Sequence, residues 1–121
     1  MNKKPLLYGE LSDAIIGCAM TVLNGLRPGL DENALVIQLG KQGLRIEQQK
    51  RFEVRYQGVL VDSLIPDLIV NELVIVDPKA VENFTPTHLA QMTGYLAITQ
   101  LRLALLLNFK HADLRWKRVI R

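Results

Sequence analysis

The chain has one cysteine in 121 residues, Cys18, so no disulfide can form within it. Its place among apolar residues at helical spacing makes it a small core residue. A membrane-length apolar run is also missing. The stretch "LRLALLLNF" has about half of the ~20 residues that a membrane helix needs. The basic start "MNKKPLLYGE" carries too short an apolar stretch for a secretory signal. The expectation is a cytoplasmic chain with no membrane contact. No internal repeat and no low-complexity segment is present, which excludes solenoids and arrays. No linker divides the chain, so residues 1–121 read as a single domain. Neither sign of charge dominates: 15 Lys and Arg against 12 Asp and Glu leave a net +3. That balance is compatible with a polyanionic partner without demanding one.

What is present is an ordinary globular composition, 49% hydrophobic and 22% charged. In "ELSDAIIGCAMTVLNG", residues 10–25, the positions Leu11, Ala14, Ile15, Cys18, Ala19 and Val22 share one face, which predicts an amphipathic helix. "RPG" at 27–29 breaks it. "LDENALVIQLGKQG" predicts a shorter helix with acidic residues at its start and Gly43 after its end. From Leu44 the period changes to two. "LRIEQQKRFEVRYQG" reads as a half-exposed strand up to a turn at Gly58, and "VLVDSLIPDLIV" continues in extended form. "LVIVDPKAV" follows. Thr85 as N-cap and Pro86 at the first helical position start the next helix, "LRLALLLNF" reads as a buried strand by its length and bounded ends with helix as the alternative, and "LRWKRVIR" is a last basic strand. Helix, helix, three or so strands, helix, strand, strand predicts an α/β or α+β fold with a mixed central sheet.

The chemistry-bearing residues lie in "LIPDLIVNELVIVDPKAV", residues 64–81. Asp77 and Lys79 are two apart on a strand, so they share a face. If "NEL" at 71–73 is the loop of a hairpin, Val70 faces Val74, Ile69 faces Ile75, and Asp67 faces Asp77. Cβ atoms so opposed are about 4.5 to 5.5 Å apart. Two carboxylates that close repel unless a cation or a proton sits between them. A hard divalent ion with oxygen ligands resolves the repulsion, and Mg²⁺ suits an open, hydrated site. Lys79 would stand beside it, able to orient a water or stabilise an oxyanion.

"PD", nine residues, then "DPK" resembles the signature of the PD-(D/E)XK nuclease superfamily, on Pro66, Asp67, Asp77 and Lys79. "QMTGY" resembles the QxxxY motif of its RecB-type branch, on Gln91 and Tyr95. "IIGCAMTVLNGLRPG", "NALVIQL", "DLIV", "VIVDPKAVENFTP", "HLAQMTGYL" and "LLLNF" resemble, in order, pieces of its compact GxxExxxR family. The resemblance implies an αβββαβ restriction-endonuclease-like core and metal-dependent cleavage of DNA phosphodiesters. It implies that Asp67 and Asp77 are ligands of Mg²⁺ or Mn²⁺, with the carbonyl of Pro78 as a further ligand and Lys79 as catalytic lysine. Gln91 and Tyr95 would line the site, and a helix glutamate, Glu32, would complete it. A chain this small offers little surface for a duplex, so a homodimer or a partner subunit is expected.

The chain departs from that pattern in several places. Asp77-Pro78-Lys79 stands where the family usually has Glu-Leu-Lys. Proline removes a ladder N–H and is rare inside central strands. The second helix is about a turn short, Asp31 competes with Glu32 for the carboxylate role, and Val36 stands where the family has arginine. These departures motivate a rival function: a catalytically degenerate nucleic-acid-binding module, or a regulatory interaction module. Each residue also has a plainer role open to it. The aspartates could cap turns, His88 could be a satisfied surface histidine, and the basic tail Lys110, Arg115, Lys117, Arg118 and Arg121 could be a solvated edge or could contact phosphates.

Overall fold

The computed structural model describes residues 6–26 and 32–121. The break expected at 27–29 and the alternative carboxylate Asp31 lie outside the described residues. Helix α1 spans Gly9–Leu26 and buries Ile15, Ile16, Cys18, Ala19, Val22 and Leu23. Cys18 is core, as its helical spacing predicts, and burial pushes its thiol pKa up. Helix α2 spans Glu32–Lys41 and buries Leu35 and Leu39. It stops where predicted: Gly43 takes a φ of 76°, a conformation glycine adopts without a Cβ penalty, and its N–H donates to the Gly40 carbonyl at 2.9 Å.

Five strands form the central sheet, and two more stand apart from it. In chain order they are β1 (Ile46–Gln48), β2 (Phe52–Tyr56), β3 (Val59–Leu64), β4 (Leu68–Val70), β5 (Val74–Lys79), β6 (Leu103–Asn108) and β7 (Arg115–Ile120), with helix α3 (Pro86–Thr99) between β5 and β6. The sheet order is β1-β4-β5-β6-β7. All its pairings are antiparallel except β5 with β6, which α3 joins as a parallel crossover. The run α1, β1, β4, β5, α3, β6 gives the αβββαβ order, and the fold is α+β with a mixed sheet as expected.

The two sheet faces bury different partners. Leu68, Val70, Val74, Val76, Leu103, Leu105 and Leu107 pack under α1 and α2. Ile69, Ile75, Ala104 and Leu106 pack under Met92 and Leu96 of α3, with Phe52 of β2 beside them. Every residue of β6 is buried, which is why "LRLALLLNF" shows no alternation. The buried Asn108 at its end is satisfied by the next loop. Its amide donates to the Val81 carbonyl at 2.7 Å, and its Oδ1 accepts from the N–H groups of Val81 and Lys110 at 3.1 Å each.

The alternating run from Leu44 is not one strand. It breaks at Gln49, which takes a φ of 58°, and resumes as β2 on the α3 side of the sheet. The extended stretch after Gly58 also divides, at Ile65-Pro66-Asp67, into β3 and β4. Five strands therefore lie between α2 and α3 where three or so are predicted, because β2 and β3 pair only with each other. β2 alternates with period two and β3 does not, and neither pattern shows which sheet a strand joins.

Candidate active site

The β4–β5 hairpin has the predicted register: Val70 pairs with Val74, Ile69 with Ile75, and Leu68 with Val76. Its loop is the three residues 71–73. Asn71 and Glu72 both have positive φ, 53° and 58°, and the Leu73 N–H closes the turn on the Val70 carbonyl at 3.0 Å. Asn71 also fixes the neighbouring edge. Its N–H donates to the Arg45 carbonyl and its Oδ1 accepts from the Arg45 N–H, each at 2.8 Å. Continued one place past Leu68, this register sets Asp67 opposite Asp77 on the face that carries α3.

Their carboxyl groups are close enough for each to shift the proton affinity of the other. Asp77 is only 5% exposed, and Lys79, on the same face, brings its Nζ within 3.6 Å of Asp77 Oδ2. Burial raises the Asp77 pKa to about 6; the Lys79 ammonium opposes the rise and the Asp67 charge adds to it. Asp67 is pushed up as well, by burial first and by the Glu32 carboxylate second, against hydrogen bonds from Asp77 and Gln49. Two carboxyls this close and this buried hold a proton to higher pH than either would in water.

Proline at position 78 costs no ladder bond. The Lys79 carbonyl accepts from the Phe109 N–H at 2.8 Å, so the peptide groups of residues 77 and 79 face β6. By alternation those of Val76 and Pro78 face β4. The last recorded rung there is Leu68 with Val76, and two places beyond it Pro66 stands opposite Pro78. The N–H that Pro78 lacks would have fallen past the last rung, where the two strands no longer pair. By the same alternation its carbonyl points to the β4 side, past that rung.

Helix α3 begins as predicted. Thr85 accepts from the His88 N–H at 3.2 Å, and His88 Nδ1 accepts from the Thr85 N–H at 3.0 Å, a reciprocal capping box with Pro86 in the first turn. That use of Nδ1 assigns His88 to the helix cap. One turn on, Gln91 Nε2 donates to the Tyr95 hydroxyl at 3.1 Å. The Tyr95 pKa is raised by burial, then by the Asp77 charge, with Asp67 adding to it. The ring therefore stands in the field of both carboxylates, and its hydroxyl stays protonated. Gln91 is exposed and meets the site through that hydroxyl.

Glu32, at the first turn of α2, reaches the same place from the opposite side. Its Oε2 accepts from Gln48 Nε2 at 2.6 Å and from Gln49 Nε2 at 3.4 Å. Gln49 Nε2 also lies 3.4 Å from Asp67 Oδ1. The two glutamines are the residues that sequence reasoning missed. They lie in a segment that reads as one alternating strand, where neighbours point to opposite faces. Arg118 divides from the rest of the basic tail: it donates to Ser12 Oγ at 2.7 Å and to the Leu7 carbonyl, tying β7 to α1.

Among the described residues, no three His, Cys, Asp or Glu side chains close on a single point. The oxygen donors here are two carboxylates, the Pro78 carbonyl and a third carboxylate, Glu32, linked to Asp67 through Gln49. Hard oxygen donors arranged openly fit a cation that keeps several waters. Among the described residues, no helix is long and apolar enough to cross a membrane. The family model of the PD-(D/E)XK nuclease superfamily matches residues 9–119. No curated protein and no solved structure matches the chain.

Proposed function

Because the chain belongs to the PD-(D/E)XK nuclease superfamily, we propose that it is a small metal-dependent deoxyribonuclease of the RecB-type, GxxExxxR branch. The superfamily points to phosphodiester hydrolysis of nucleic acid in general, and its nucleases generally use divalent metals. The observation that carries the finer reading is the pair Asp67 and Asp77 set opposite each other by the hairpin register, with Lys79 at 3.6 Å from Asp77, in the field that Tyr95 also feels.

In this reading Asp67, Asp77, the Pro78 carbonyl and Glu32 hold Mg²⁺ or Mn²⁺. When bound, the ion supplies an activated water and offsets charge on the phosphate. The chain does the rest. The buried floor under Asp77 keeps its carboxylate in one orientation and strengthens its electrostatics. Lys79 presents a cation on the same face, where a phosphate oxygen that gains charge is stabilised. Tyr95, held by Gln91, offers a neutral O–H donor from the α3 side. Lys79, Gln91 and Tyr95 act on the substrate, and the carboxylates hold the ion.

A homodimer is part of the reading. Hairpin β2–β3 leaves Tyr56 67%, Val59 64% and Val61 59% exposed on strands with no further partner among the described residues. A free apolar strand edge of this kind is a pairing surface. The test is cleavage of single-stranded and duplex DNA in Mg²⁺ or Mn²⁺, with calorimetry of metal binding beside it. Metal binding with cleavage of either substrate is the expected result. A protein that binds neither ion and cuts neither substrate is a nucleic-acid-binding or regulatory module.

A further inference from the structure

The geometry points to Gln48 and Gln49 as positioning residues that hold Glu32 against Asp67, so that the α2 carboxylate serves the same site as the hairpin carboxylates. The inference rests on the metal-site reading above and adds two residues to it. Neighbouring residues of a strand project to opposite faces, so both glutamines could not reach one carboxylate from a regular strand. Here both reach Glu32 Oε2, Gln48 at 2.6 Å and Gln49 at 3.4 Å. What permits this is the left-handed backbone of Gln49, φ 58°, at the point where β1 ends. A non-glycine residue rarely adopts that conformation and does so at a cost.

The surroundings keep the strained residue in place. The Gln49 N–H donates to the Asp67 carbonyl at 3.0 Å, next to the last rung of the β1–β4 ladder. Its side chain then turns back to lie 3.4 Å from Asp67 Oδ1. One residue thus contacts the backbone and the side chain of Asp67 and the side chain of Glu32. Gln48 adds a second arm, with its Nε2 also 3.2 Å from Asn33 Oδ1 at the start of α2. The carboxamides supply N–H donors to both carboxylates, and amide donors offset their mutual repulsion without a competing charge.

Gln49→Gly separates positioning from folding. Glycine adopts a positive φ without strain and keeps the N–H that bonds the Asp67 carbonyl, but it removes the bridging amide. Urea unfolding of the metal-free protein is expected to show Gln49→Gly at least as stable as wild type. Mn²⁺ titration by calorimetry is expected to show binding weakened roughly tenfold, the lower end of what loss of a supporting hydrogen bond costs a metal site. Glu32→Gln placed on top of Gln49→Gly is expected to weaken binding by less than Glu32→Gln does alone, because the two act through one contact. Unchanged Mn²⁺ affinity in Gln49→Gly, or independent effects in the double variant, overturns the inference while the metal site stands. Wild type that binds no Mn²⁺ overturns the metal-site reading and this inference with it.

Discussion

Replacing Asp77 by asparagine keeps the shape of the side chain and removes a charge that the fold accommodates badly. The folded pKa of Asp77 is about 6 against an ordinary 3.8. The folded protein therefore holds this proton more tightly than the unfolded chain does. The stability that the proton contributes is full below pH 3.8 and is lost as pH rises through about 6. At about 1.4 kcal/mol per tenfold in proton affinity, the ionised aspartate costs the metal-free fold about 3 kcal/mol near neutral pH. Asparagine has no such cost. With chelator present at about pH 7.5, Asp77→Asn should be more stable than wild type by about 3 kcal/mol, a rise of roughly 10 °C in melting temperature for a domain of this size. The advantage should shrink on acidification and vanish near pH 4. Metal should close most of the gap: Mn²⁺ at a hundred times its Kd stabilises wild type by about 2.7 kcal/mol and leaves a variant lacking the ligand unchanged. Urea unfolding at several pH values, with and without Mn²⁺, reads all of this. A variant no more stable than wild type at neutral pH, or a gap independent of pH, refutes the reasoning.

Lys79→Ala should retain Mn²⁺ binding by calorimetry but cut DNA on the order of a hundredfold more slowly, since in the proposed mechanism the lysine acts on the phosphate; loss of metal binding instead would make it a structural partner of Asp77. Asn108→Ala should cost about 1 to 3 kcal/mol in urea unfolding, because it leaves the half-buried Val81 carbonyl and N–H without their partner. Val61→Lys should leave the fold intact and shift the protein from dimer to monomer by light scattering, if the exposed edge of β3 is the pairing surface.

The site was legible because its geometry is local. An odd loop between Asp67 and Asp77 fixes which residues face one another, and three apolar pairs between them leave little freedom of register. The start of α3 was legible for the same reason: Thr85 and Pro86 act on their own neighbours. The break at Gln49 was hidden, because a glutamine with positive φ carries no sign in the sequence that a glycine would carry. The placement of Glu32 depended on contacts between residues 15 to 17 positions apart, which no periodicity encodes. That β2 and β3 pair apart from the main sheet was hidden, since the exposure pattern of a strand does not tell which strand it joins.

The two prolines at the end of the β4–β5 ladder also bear on how the hairpin assembles. Slipping the hairpin by two residues would carry Pro66 or Pro78 into a rung that needs an N–H donor, and the misaligned pairing would lose bonds that the native one keeps. In the native alignment the prolines sit just past the final rung, where they cost nothing. They work like a stop at the end of a zipper. The strands close up to Leu68 and Val76 and no further, in one alignment only, and the carboxylates come to rest at the fork.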